Sequence, residues 1–190
     1  MGTKGDNNRT RIVEAADQLF YKRGYNQTSF SDIAEMTGIP RGNFYYYFKT
    51  KDDILAAVVD ARVKQYQQVL QQCDSMTDDP RERLLAFTDM LDSSKDTILE
   101  AGCPVGSLCS ELAKDTEALQ SKSREVFELI RDWMSKQFAT LGYDDADDRA
   151  MDLLARLQGV SVISCAFKDN DFLLRSLNEV RTWVNGLKSS

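Results

Sequence analysis

Arg41 and Asn43 are the two residues whose type and place most directly define a chemistry. Both stand at the start of a short helical pattern that follows Pro40, where side chains reach base edges most directly. Arg pairs bidentately with guanine and Asn with adenine. Gly42 between them has no side chain, so the helix start can approach a duplex closely. Tyr45, Tyr46 and Tyr47 follow in succession. Three consecutive helical residues span roughly 200° of the helix circumference at about 3.6 residues per turn, so these rings cannot all be core. A second chemistry belongs to Cys103, which precedes Pro104 at a helix start. There the macrodipole and unpaired amides favour a thiolate, the reactive form of the side chain.

These residues need elements to hold them. Phe44 and Phe48 lie four apart and share one helix face, leaving Arg41, Asn43, Tyr46 and Tyr47 on the others. Ahead of that helix, Ser29 or Phe30 begins a shorter one, with Ile33 and Ala34 turned inward and Gly38 ending it in a left-handed conformation. Pro40 fixes the start of the next. Two short helices about a tight turn, the second anchored from behind and free in front, form a helix-turn-helix. Ile12, Ala16, Leu19 and Phe20 recur at helical spacing before it, and Gly24 stops that first helix. The first eight residues read as a disordered tail, with Lys4 and Arg9 as backbone contacts.

The rest of the chain repeats the helical period. A long helix is expected from about Asp52 to Asp74, and another from Asp79-Pro80 to Gly102, where an aspartate cap precedes a first-turn proline. Further helices run from Pro104 to about Ala113, Thr116 to Gly142, Asp144 to Phe167 and Asp171 to Leu187. No strand pattern appears. The expected fold is all-α, with a three-helix DNA-binding domain at residues 1–52 joined by a long helix to a helical domain at 53–190.

Composition bounds the partners. The net charge is -6, yet residues 1–52 hold eight Lys or Arg against six Asp or Glu, so a +2 head precedes a -8 body. Local charge at phosphate contacts matters more than the total. No apolar run approaches the ~20 residues of a membrane span and no leader pattern is present, so no membrane partner and a cytoplasmic location are expected. The four cysteines form no Cys-x-x-Cys pair and the chain has no histidine, which excludes a histidine-containing zinc site. Neither a metal nor a cofactor is implied.

From about Arg9 to Leu55 the chain resembles the DNA-binding region of TetR-family transcriptional repressors. The resemblance rests on Lys22-Arg23-Gly24-Tyr25, Asp32-Ile33-Ala34 and Gly42-Asn43-Phe44-Tyr45-Tyr46-Tyr47-Phe48-Lys49-Thr50-Lys51. It departs at Tyr47, where a histidine is common, and at Pro40, where a small polar residue is common. The resemblance implies phosphate contacts from Tyr45, Tyr46 and Tyr47, completed by Thr28, Ser29 and Lys51. It also implies an effector pocket in the larger domain, for which Tyr66, Phe87, Cys103, Phe127 and Trp133 are the candidates. Gly102-Cys103 with Leu108 and Glu111 resembles a subgroup in which this cysteine can sense electrophiles or oxidants.

The last two helices carry wide apolar stripes that one core does not absorb, and the family favours a four-helix dimer interface. Leu157, Gly159, Val160 and Ile163 on the first, with Leu177, Val180, Trp183 and Val184 on the second, are the expected contacts. The reading is a homodimeric repressor that binds double-stranded operator DNA and is released by a small-molecule or electrophile effector. Its rivals are an enzyme using the body pocket, disfavoured because no histidine, phosphate loop or ligand cluster is present, and a non-specific architectural DNA protein, disfavoured by the acidic body.

Overall fold

A computed structural model of the chain describes residues 4–187, apart from the side chains of residues 4–6 and of Arg41. Ten helices, and no strand among the described residues, run in the order α1 (Lys4–Arg23), α2 (Phe30–Thr37), α3 (Arg41–Tyr47), α4 (Lys51–Met76), α5 (Pro80–Ser93), α6 (Lys95–Ala101), α7 (Pro104–Leu112), α8 (Glu117–Thr140), α9 (Ala146–Phe167) and α10 (Asn170–Asn185). The all-α expectation holds. Helix α1 starts at Lys4, however, so most of the expected tail is helical. The contact expected of Lys4 lies outside the described side chains.

The helix expected from Pro80 to Gly102 is two. Ser94 ends α5 with its N–H shared between Met90 and Leu91 carbonyls, and α6 restarts at Lys95. Ser93 also donates its hydroxyl to the Asp89 carbonyl at 3.1 Å, a back-bond that bends a helix. The Ser-Ser pair breaks the backbone ladder although the apolar period runs on through Ile98.

The described chain forms two compact units, one taking in Met1–Lys64 and Ser107–Glu125, the other Gln65–Gly106 and Val126–Ser190. In the first, Ile12, Ala16, Phe20, Ile33, Phe44, Ile54, Leu55 and Val58 are all but inaccessible. Arg62, itself buried, pairs through Nε with Asp17 at 2.6 Å and so joins α4 to α1.

The second unit has Leu84, Phe87, Trp133, Met134 and Phe138 at its centre, with α10 laid along α5 and α9. Arg181 on α10 bridges Asp89 (2.7 Å) and Asp92 (2.9 Å) on α5. By length and composition α9 is long and apolar enough to cross a membrane, contrary to the expectation that no such run exists. Its apolar residues are divided between two faces. Leu153, Leu154, Leu157 and Val160 are buried inward, while Met151, Val162, Ile163 and Phe167 are exposed, Phe167 at 76 %.

This division corrects the expected dimer contacts. Leu157, Val160, Leu177, Val180 and Val184 are buried in the chain's own core, and Trp183 is half-buried against Phe138 and Arg156. Of the eight, Gly159 and Ile163 are exposed. The period of 3.6 fixes which residues share a face, but not which face meets the core.

Candidate nucleic-acid interface

The short helices of the head owe their sharp ends to side chains. Ser29 caps α2 by accepting the Asp32 N–H, and Asp32 returns the favour at the Ser29 N–H (2.7 Å), a complete capping box. Those hydrogen bonds from Ser29, side chain first, hold the Asp32 carboxyl below the usual range. Gly38 closes α2 at φ 66°, its N–H on the Ala34 carbonyl at 2.9 Å. Arg11 of α1 donates to the Thr37 carbonyl at 2.6 Å and so satisfies the same helix end. Pro40, expected as the first helical residue, is the N-cap of α3, so the helix starts one residue later at Arg41; the Pro40 carbonyl accepts the Asn43 N–H at 2.8 Å.

Behind α3, Phe44 and Phe48 are buried. Phe30 meets Phe44 edge-on at 6.2 Å and stacks on Tyr45 at 5.9 Å, and the Arg9 guanidinium lies 5.1 Å from the Phe48 ring centre. In front, Gly42, Asn43 and Tyr45 are exposed and Tyr46 is 83 % exposed. A Cβ added at Gly42 would meet nothing within 4 Å, so no internal packing calls for a glycine there. Tyr47 is half-buried, edge-to-face with Tyr46, and its hydroxyl accepts the Asn8 amide at 3.4 Å. The side chain of Arg41 lies outside the described residues.

Three expected phosphate contacts are used internally. Thr28 is buried and donates its hydroxyl to the Gly24 carbonyl at 2.7 Å, so it stands behind the face and not on it. Ser29 is exposed, but its hydroxyl serves the cap. Lys51 donates to the Tyr25 (2.9 Å) and Thr28 (3.1 Å) carbonyls while covering the Tyr25 ring at 4.1 Å, which commits two of its three donors to the fold. Tyr25 donates its hydroxyl to Asp52. Burial, reinforced by that hydrogen bond and the Asp52 charge, pushes the Tyr25 phenol well above its usual range, so it remains a neutral donor.

Residues whose part in the head the sequence did not reveal complete the frame. Asp53 accepts the Lys49 (3.0 Å) and Thr50 (2.9 Å) amides ahead of α4. Lys49 donates to the Tyr45 carbonyl at 2.6 Å, at the C-terminal end of α3, where a cation opposes the helix dipole. Glu111 of α7 accepts the amides of Tyr25 and Asn26, both at 2.7 Å. Asp53 and Lys49 had a local signal in their spacing from α3 and α4; Glu111 had none.

In the second unit, Phe87 and Trp133 are buried with ring centres 5.8 Å apart, and the Trp133 indole donates to Asp74 at 3.0 Å. Tyr66 and Phe127 are half-buried. Cys103 is half-buried at the start of α7, its sulfur accepting the Gly106 N–H (3.4 Å) and the Gln158 amide (3.5 Å).

Two family models match the sequence: bacterial regulatory proteins of the tetR family over residues 12–58, and the C-terminal domain of LmrA/YxaF-like transcriptional regulators over 80–179. An uncharacterised HTH-type regulator encoded in the lacX 3' region of Lactococcus lactis subsp. lactis is 32% identical over 137 residues, 71% of this chain and 70% of that protein. YxaF of Bacillus subtilis (strain 168) is 28% identical over 188 residues, 97% and 98% of the two chains. A TetR regulator from Chloroflexus aurantiacus shares the fold with a TM-score of 0.87 at 23% identity, over 97% of this chain and 98% of that one. The helix-turn-helix read from caps and aromatic spacing is thus the head of a known lineage: the chain belongs to the TetR family, with an LmrA/YxaF-like C-terminal region, and is a DNA-binding transcriptional regulator and not an enzyme.

Proposed function

We propose that the protein is a cytoplasmic repressor which holds a near-palindromic double-stranded operator as a homodimer and is released by a small-molecule effector. The observation that carries this is the division of α3: Phe44 and Phe48 are buried, while Gly42, Asn43, Tyr45 and Tyr46 face solvent with nothing of the chain's own to touch at Gly42. Arg41 and Asn43 read base edges, and Tyr45, Tyr46, Tyr47 and the free donor of Lys51 address the backbone. The functional division is drawn at residues 1–52 for DNA binding and 53–190 for effector binding and dimerisation, supported by the two family ranges.

The test separates reading from holding. Asn43→Ala is expected to cost ~1–3 kcal/mol at one base pair and to relax preference there. Tyr46→Phe removes a neutral hydroxyl, so it is expected to weaken every sequence alike by ~0.5–1.5 kcal/mol and to leave the salt slope unchanged. Titration against a selected duplex and its single-base variants measures both. An Asn43→Ala protein with unaltered preference at every position rejects this docking of α3.

For the effector, the family resemblance points to Phe87, Trp133, Tyr66 and Phe127, whose rings suit an apolar or aromatic compound. A covalent reading is favoured by one observation, the half-buried Cys103 sulfur at the start of α7, contacted by the Gly106 N–H and the Gln158 amide. The Cys103 thiol would add to the β-carbon of an α,β-unsaturated carbonyl, forming a C–S bond, with its proton passing through water to the α-carbon. Exposure to such an electrophile is expected to release operator from the wild type, whereas Cys103→Ser stays bound and keeps wild-type affinity beforehand. Equal release from both proteins, or release from neither, removes Cys103 from the effector site.

A further inference from the structure

The turn from Gly24 to Ser29 sets how α2 and α3 stand relative to α1, and it is gripped on two sides. From α4 come Lys51, on the Tyr25 and Thr28 carbonyls, and Asp52, on the Tyr25 hydroxyl. From α7 comes Glu111, with one carboxylate oxygen on each of two successive amides: Oε2 accepts Tyr25 N–H and Oε1 accepts Asn26 N–H. A carboxylate bound to two backbone donors makes charge-assisted bonds, roughly twice as strong as neutral ones.

Gly24 is fitted to this grip. Its φ of +89° lies in the region that favours glycine, and a Cβ there would sit 3.0–3.3 Å from the Glu111 carboxylate. The position therefore needs glycine both for its backbone and for the room it leaves. The partners are 85 and 86 residues apart in sequence. Glu111 lies outside the matched head, residues 12–58, and inside the matched C-terminal region, residues 80–179.

We propose that Glu111 is a positioning residue for operator recognition: by holding the Tyr25 and Asn26 amides it fixes the α1–α2 turn, and it makes the head's DNA-reading geometry depend on where α7 stands. This rests on the reading of the protein as an operator-binding regulator. Helix α7 is nine residues long, with Cys103 just before its first residue and Glu111 one residue before its last. With both bonds at 2.7 Å, a displacement by ~1.5 Å along the axis, one residue's rise, can carry both beyond hydrogen-bonding range. Glu111 touches no base or phosphate in this scheme; it acts through the turn.

Glu111→Ala and Glu111→Gln test it, because they remove the same charge but differ in bonding. Gln keeps the length and one acceptor oxygen, so it retains one of the two bonds. Each protein is titrated, by fluorescence anisotropy, with a duplex that the wild type has selected from a random pool and with a scrambled duplex, and amide exchange is followed at Tyr25 and Asn26. For Glu111→Ala the selected duplex is expected to bind ~10–100-fold more weakly, with scrambled DNA changed less than ~2-fold and both amides exchanging faster. Glu111→Gln should fall between Ala and wild type.

Equal affinities for Ala, Gln and wild type on the selected duplex, with only the melting temperature lowered, would make Glu111 a brace and overturn the proposal. So would equal losses on selected and scrambled DNA, or Gln and Ala indistinguishable from each other, the mark of a charge effect alone. If the Ala protein does not fold, the Gln protein decides by the same comparison with wild type. A wild type that selects no duplex overturns the operator reading and this inference together.

Discussion

Gly159→Trp is expected to leave the chain folded and to split the dimer, abolishing operator binding without touching the head. A Cβ at Gly159 meets nothing within 4 Å inside the chain, and the residue is exposed on the outer face of α9. A side chain there therefore starts in open space and projects outward, where a second chain would meet it. Around it lie Met151, Val162, Ile163 and Phe167, all exposed, with the small Ala155 and Ala166 between them. In an isologous contact every substitution acts twice, so an overpacking cost of ~1–3 kcal/mol per site becomes ~2–6 kcal/mol per dimer. Each 1.4 kcal/mol is about tenfold in affinity, so that loss moves a micromolar dimer out of reach. Ile163→Asp attacks the same face by charge and should do the same. Sedimentation at micromolar concentration decides: a Gly159→Trp protein that remains dimeric and operator-bound places the contact on another surface.

That face was legible only in part. The apolar period of α9 announced a helix with more apolar surface than one core needs, which was right, but Leu157 and Val160 turn inward and Val162 and Phe167 turn out. A sequence gives the angles between side chains on a helix and leaves its rotation about its own axis open. That rotation is set by α6 and α10, which pack on α9 from elsewhere in the chain. The same limit explains Thr28, whose type suits a phosphate contact and whose hydroxyl is instead spent on the Gly24 carbonyl. Several helix ends, by contrast, were readable. Ser29, Gly38, and Asp79 with Pro80 stand at the helix ends where capping geometry requires them, though the Asp32 half of the Ser29 capping box was not read. The Ser93-Ser94 break escaped because the apolar spacing continues across it. Glu111 escaped because a bond to amides 85 and 86 residues away leaves no trace in spacing.

Phe44→Ala is expected to have the largest effect of any single change in the head, although the residue touches no DNA. Phe44 is wholly inaccessible and meets Phe30 edge-on at 6.2 Å, so it is the peg that fixes the seven-residue α3 to the rest of the head. A helix of two turns has no stability of its own; it exists because one face is packed. Truncating a buried Phe to Ala typically costs ~3–5 kcal/mol, against the ~5–15 kcal/mol by which a whole domain is stable. The Phe44→Ala protein should therefore lose operator binding through a loosened head, while sedimentation still finds a dimer held by the second unit. Phe44→Leu, which restores most of the volume, should recover much of the binding. One turn of α3 then gives opposite outcomes on its two faces: Tyr46→Phe changes affinity and leaves melting alone, and Phe44→Ala lowers both. If Phe44→Ala kept wild-type affinity, α3 would be held by something other than its buried aromatic, and the division of faces on which the DNA-binding reading stands would be lost.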